Sequence, residues 1–174
     1  MRWRTVPADV AAAAGLIVGR ELDRPALREL RRALRRFEAL ESATKTLRYR
    51  DASAQRLAQR LEAASVAPAA RMEALDVLER AGLVDDARFA ERRSDALAER
   101  GFGDEAIRHD LEQQGVPAQL RERAVAALPA ETGRALAIVA RRGPGSKTAR
   151  YLAAKGFGED AVEAALAGSV AADA

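Results

Sequence analysis

The chain has 174 residues, a formal net charge of +3 and no cysteine. That length suits one domain, or an array of small units sharing a core. The missing cysteines exclude disulfide staples and Cys-based zinc sites, and a single histidine, His109, excludes a His-rich metal cluster.

The dominant Ala, Leu, Arg and Glu are strong helix formers, aromatics make up only 4%, and β-branched residues never alternate over a long run. Helices are therefore expected throughout. Residues 1–19 suggest a short lead-in helix after Pro7, supported by Trp3, Val6 and Val10 and ended by Gly15 or Gly19. The apolar run from Ala11 to Gly19 follows an acidic Asp9 and is too short to span a bilayer, so no secretory signal is read and the cytoplasm is the expected location. The clearest helix covers 24–41: Asp23 can cap it, Pro25 sits in its first turn, and Leu27, Leu30, Leu34, Phe37 and Leu40 mark a buried face. Further helices are predicted at about 42–49, 54–64, 69–81, 87–99, 104–114, 118–128, 130–142, 146–155 and 159–167, the last ended by Gly168.

The breaks repeat. Val66, Val116 and Phe157 follow Ser65, Gly115 and Gly156. Five residues earlier stand Leu61, Leu111 and Leu152, and nine later Leu75, Val125 and Leu166. Nine residues earlier stand Leu57, Ile107 and Thr148, and thirteen earlier Ser53, Gly103 and Pro144. A period of about 40–50 residues predicts an all-α fold of tandem three-helix repeats stacked into an elongated, curved, solenoid-like array. The expected organisation is an N-terminal helical extension over 1–41, repeats over 42–82, 83–129 and 130–168, and a flexible tail over 169–174.

Charge is uneven along this array. Residues 20–60 carry twelve basic and six acidic side chains, 61–133 carry nine and fifteen, and 134–158 carry six basic and none acidic. Two basic ends around an acidic middle suit a polyanion or a protein surface of alternating charge. An arginine-rich solvated surface without a partner is the bland alternative. The chemistry of an enzyme is missing. His109 sits beside Asp110 on a predicted surface, and Asp85-Asp86 reads as a helix cap more readily than as metal ligands. Gly143-Pro144-Gly145-Ser146-Lys147-Thr148 ends like a phosphate loop but lacks the leading glycine and a preceding strand. Its helix start, with Lys147, can still suit a nucleic-acid phosphate. No aromatic stacking platform is evident, so any nucleic-acid binding is expected to be electrostatic and salt-sensitive. Neither a cofactor nor a metal is expected.

The segment Leu75-Asp76-Val77-Leu78-Glu79-Arg80-Ala81-Gly82-Leu83-Val84-Asp85-Asp86-Ala87-Arg88-Phe89-Ala90, continued by Arg92-Arg93-Ser94, Arg100-Gly101-Phe102-Gly103, Ile107-Arg108, Leu111 and Gly115-Val116, resembles the RecX family of bacterial recombination regulators. The resemblance covers about residues 43–167, and residues 20–40 are similar to an extra N-terminal segment of some members. Leu83 stands where many members have tyrosine, and the third repeat is shorter. The resemblance implies a non-enzymatic protein, expected as a monomer. It would bind the RecA recombinase and its filament on single-stranded DNA, limit filament extension, and inhibit ATP hydrolysis, strand exchange and coprotease activity. The alternative is a basic helical protein that acts mainly by competing for DNA. No motif fixes the contacts, so surface cations are the candidates: Arg28, Arg32 and Arg35 in the N-terminal helix; Arg88, Arg92, Arg93, Arg100 and Arg108 in the middle repeat; Arg141, Arg142, Lys147, Arg150 and Lys155 in the third. Intramolecular salt bridges compete for the middle set, whereas the third set has no acidic neighbours in sequence.

Overall fold

The computed structural model describes residues 5–19, 21–48 and 51–172. Its described residues form ten α-helices and no strand: α1 (Ala8–Ala13), α2 (Arg24–Leu47), α3 (Ala54–Ala63), α4 (Pro68–Arg80), α5 (Asp86–Glu99), α6 (Asp104–Gln113), α7 (Ala118–Ala126), α8 (Glu131–Arg142), α9 (Ser146–Ala154) and α10 (Glu159–Ala172). None of the described helices is long and apolar enough to cross a membrane. The fold is all-α, built from repeated helical units, and the chain divides into two compact units, one ending at Val84 and the other starting at Asp85.

In the first unit α1 follows Pro7 and buries Val10 against Leu30 and Leu34 of α2. Trp3, expected to support this helix, lies outside the described residues, as does Tyr49. The Asp23 carboxylate accepts the Ala26 N–H at 2.8 Å and starts α2. Two helices were expected here, breaking near 41/42, but α2 runs unbroken to Leu47. The Thr44 hydroxyl donates to the Leu40 carbonyl at 2.7 Å and Thr46 to Ser42 at 3.2 Å, so these polar side chains are satisfied inside the helix and need no turn. The buried seam also changes character along α2. Beyond the leucines it consists of Ala39 and Ala43, both fully buried. Ala39 meets Ala70 and Ala74 of α4, where small side chains let two helices approach closely. Ser53 caps α3 by accepting the Arg56 N–H, and Leu57, Leu61, Leu78 and Val84 close the core of this unit.

The second unit holds two three-helix bundles. Asp85 caps α5 by accepting the Arg88 N–H at 2.9 Å, the role expected of this aspartate pair. Around Phe89, Leu97, Ile107, Leu111, Val116 and Val125 the helices α5, α6 and α7 share one core; Ile138, Val139, Leu152, Phe157 and Ala165 make the core of α8, α9 and α10. Each fully buried Ile or Leu here is worth roughly 2 kcal/mol of burial. α10 does not stop at Gly168 but continues to Ala172. The glycine lies beside Leu136 of α8, and no proline follows to break the helix, so the alanine-rich segment carries on.

The repeat is a repeat of one turn. Leu61, Leu111 and Leu152 each accept, through their carbonyls, the N–H of the apolar residue five positions later, Val66, Val116 and Phe157, at 2.9–3.1 Å. The residue between, Ser65, Gly115 or Gly156, has a positive φ of 59°, 77° or 77°. This is the Schellman ending of a helix, which needs a left-handed residue. Ser65 bears a Cβ there, and is the non-glycine residue with positive φ among those described. At the position nine residues before each apolar residue, Leu57, Ile107 and Thr148 are all buried.

Candidate protein and nucleic-acid interface

The thirteen cations singled out from sequence have different surroundings. In the middle set, Arg93 of α5 donates two hydrogen bonds to Asp110 of α6, the Nη2 contact at 2.8 Å, and this hydrogen bonding raises its pKa above the ordinary arginine value against the lowering effect of burial. Arg108 donates through Nε to Glu122 of α7 at 3.0 Å. Neighbouring arginines behave alike: Arg121 pairs with Glu112 and Arg123 with Glu91. Arg88 and Arg92 are exposed on α5. Arg93 and Arg108 thus tie helices of their own bundle together, and their charge is largely spent inside it.

On α2, Arg32 is bound to Glu73 of α4 through Nε at 2.9 Å and through a second, Nη2 contact; the hydrogen bond raises its pKa while its side chain stays 72% exposed. Arg28 is exposed and has no ion pair among the described residues. Arg35, with Arg31, Ser42 and Ser65, lines a polar hollow of about 670 Å³ beside the turn between α3 and α4.

The third set meets aromatic rings and carbonyls in place of carboxylates. Arg142 at the end of α8 stacks over Tyr151 of α9, 4.0 Å from the ring centroid. Lys155, just past α9, places its ammonium 4.0 Å from the centroid of Phe102 and 5.9 Å from that of Tyr151. Arg100, at the end of α5, lies over the same Phe102 ring at 5.6 Å. Arg141 donates to the Ala137 carbonyl and Arg150 to that of Ser146, each within its own helix, and both remain exposed, as does Lys147. Lys147, Tyr151 and Lys155 follow one another at four-residue spacing and so share a face. The result is a continuous row, Arg100–Phe102–Lys155–Tyr151–Arg142, with cations and rings alternating. Each contact of this kind is worth about 0.5–1 kcal/mol where exposed. Arg100, grouped by sequence with the middle set, belongs structurally to the third. Phe102 and Tyr151 were not expected to form a platform; the structure brings both half-buried rings together.

A tight seam sets that row. The Gly103 N–H donates to the Lys155 carbonyl at 2.9 Å and the Glu105 N–H to that of Gly156 at 3.1 Å. A Cβ on Gly103 would overlap the backbone of Gly156 and Phe157, and one on Gly156 would overlap Ala106, so glycine is required on both sides. Glu131 completes the seam. Its carboxylate accepts the Asp104 N–H at 2.6 Å and the Gly158 N–H at 3.3 Å, satisfying the starts of both α6 and α10. Arg134, 12% exposed, pairs with Asp104 and donates to the Phe102 carbonyl at 2.8 Å. Phe102 and Lys155 are thus each held by the backbone beside them.

The phosphate-loop-like segment is a turn between helices. Thr148, whose hydroxyl would serve a metal in a true phosphate loop, is 4% exposed and donates to the Gly143 carbonyl at 2.7 Å. His109 is exposed on α6. Among the described residues no group of three or more His, Asp or Glu side chains is placed to hold a metal ion.

Residues 85–125, spanning α5 to α7, match the family described as RecX, second three-helix domain. In fold the chain resembles a solved structure entitled "Crystal structure of regulatory protein RecX", with a TM-score of 0.75 at 19% identity, covering 91% of this chain and 84% of that one. It also resembles RecX from Lactobacillus salivarius, with a TM-score of 0.69 at 17% identity, covering 77% of this chain and 96% of that one. No curated protein matches in sequence.

Proposed function

We propose, from a chain that matches the RecX family through residues 85–125 and shares the fold of RecX structures, that this protein is a non-enzymatic regulator of homologous recombination. It binds a RecA-type recombinase and its filament on single-stranded DNA. There it limits filament extension and lowers ATP hydrolysis, strand exchange and coprotease activity. The observation that carries this reading is the family match lying inside a fold shared with a RecX structure over 91% of the chain. The cation distribution supports a binding role, since Arg141, Arg142, Lys147 and Arg150 present charge that no carboxylate of the described chain neutralises. Such charge speeds encounter with a polyanionic filament.

That same surface favours a second reading, a DNA binder that displaces recombinase by competition. ATP hydrolysis by the host recombinase on single-stranded DNA separates the two. Filament regulation predicts loss of hydrolysis with this protein far below one copy per recombinase. Competition predicts loss only when the protein is abundant enough to coat the DNA. Unchanged hydrolysis at every ratio rejects both.

A further inference from the structure

We infer that the turn Gly15–Gly19 and the apolar hollow beside it are the two halves of a self-association site, through which a second copy of this chain docks. The inference goes beyond the regulatory reading, because it needs neither recombinase nor nucleic acid.

The turn supplies a projecting part. Ile17 is 71% exposed and Val18 is fully exposed, although both are aliphatic. Leu16 before them and Leu22 after them pack on the core of Leu30 and Leu34, so the turn is anchored on both sides. Gly15 and Gly19, with φ of 59° and 83°, bend the chain at its two ends. Two adjacent aliphatic side chains are thus held in water, where only a partner can bury them.

The hollow supplies a receiving part. It measures about 600 Å³, lies within the first unit among α1, α2 and α4, and is lined by Val10, Ala13, Ala33, Phe37, Leu40 and Val77. On its α4 side the rim charges are already paired, Arg32 with Glu73 and Arg80 with Asp76, so covering them strands no charge. The rim's other charges, Asp9, Glu29 and Arg36, are exposed and have no ion pair among the described residues. The chain beyond the turn offers Arg24, Arg28 and Glu21, equally exposed and unpaired, while Asp23 is used as the cap of α2. The two sets are opposite in sign: two acids and a base on the rim, two bases and an acid beyond the turn.

The combination selects the partner. A lipid surface would take Ile17 and Val18 and leave the hollow empty. An unrelated amphipathic helix would fill the hollow and leave the turn bare. A second copy uses both, because α1 leads from the wall of the hollow straight into the turn. A twofold axis then sets each turn against the other copy's hollow. The result is an isologous dimer of first units, in place of the monomer that the family resemblance implied.

The test is sedimentation velocity of the full chain across micromolar concentrations, without recombinase or nucleic acid. The parent should pass from monomer to dimer as concentration rises. Ile17→Ser with Val18→Ser should weaken self-association about a hundredfold. Val18, fully exposed, has no packing within one copy to lose, so Val18→Ser alone keeps the test valid should the double variant fail to fold by circular dichroism. Ala13→Arg, at an exposed position on the hollow's wall, should weaken association to a similar degree. A mixture of the turn variant and Ala13→Arg should form a heterodimer that neither forms alone, since it retains one intact turn and one intact hollow. A parent that stays monomeric throughout would overturn the inference, as would a dimer that both variants leave unchanged. So would a monomer that binds anionic vesicles through Ile17 and Val18, which would assign the turn to a membrane surface.

Discussion

Arg93 and Arg142 are both helix-borne arginines of the second unit, and they do opposite things. Arg93 faces Asp110 and Arg108 faces Glu122, so in α5–α7 arginine charge is used to bind helix to helix. Arg142 lies over Tyr151 and Lys155 over Phe102, so in α8–α9 these cations meet rings in place of carboxylates, and the exposed Arg142 keeps its charge available to a partner. What decides between these roles is the charge of the neighbouring helix, not the cation. The acid-rich middle of the chain supplies partners and the acid-free stretch 134–158 does not. Net charge alone, at +3, would have hidden this.

The largest way to break the contrast is at the seam. Gly103→Ala forces a Cβ into backbone on the opposite side, and we expect a loss of about 3 kcal/mol in denaturant unfolding, together with loss of the Phe102–Lys155 contact. Arg134→Leu removes the partner of Asp104 and a donor to the Phe102 carbonyl from a mostly buried place. It should cost about 2 kcal/mol, while a variant at Arg141, exposed on the same helix, stays within about 0.5 kcal/mol of the parent.

Arg93→Met and Arg142→Gln form the direct pair. The first should lower stability by about 1 kcal/mol and leave nucleic-acid binding unchanged; the second should do the reverse, read by urea melts and by anisotropy. Because hydrogen bonding to Asp110 raises the Arg93 pKa, its share of stability is whole at every pH below the ordinary arginine value and is lost only as pH rises through the raised one. The difference in stability between Arg93→Met and the parent should therefore not vary across neutral pH on account of the guanidinium. The smallest effect lies in the first unit. Ser65→Gly should relieve a left-handed backbone and raise stability by about 0.5–1 kcal/mol in the same melts.

Local signals carried most of the fold. Asp23 and Asp85 cap helices as their positions predicted, and the aligned Leu61, Leu111 and Leu152 mark real, equivalent turns. Helix ends set by competition were less legible. The Thr44 and Thr46 hydroxyls bond back along α2 where a turn was expected, and packing on α8 carries α10 past Gly168. The site was half legible. Lys147, Arg150 and Lys155 stood out because no acid lies near them in sequence. Phe102 did not, because it sits 49 residues before Tyr151 and reaches the row only through the close approach of Gly103 to Gly156. The glycines on both sides of Phe102 were a visible signal of tight packing, but not of what it packed against.

The exposed cations of α8 and α9 are proposed to act on a recombinase filament, and one assay tests that most directly. Recombinase ATP hydrolysis on single-stranded DNA should be measured with the parent protein, with Arg142→Gln combined with Lys147→Gln, and with Arg108→Gln, all confirmed folded. The expected result is inhibition by the parent well below stoichiometry, its loss in the α8–α9 variant, and its retention in Arg108→Gln. Equal inhibition by all three, or none by the parent, would contradict a role for these cations on the filament.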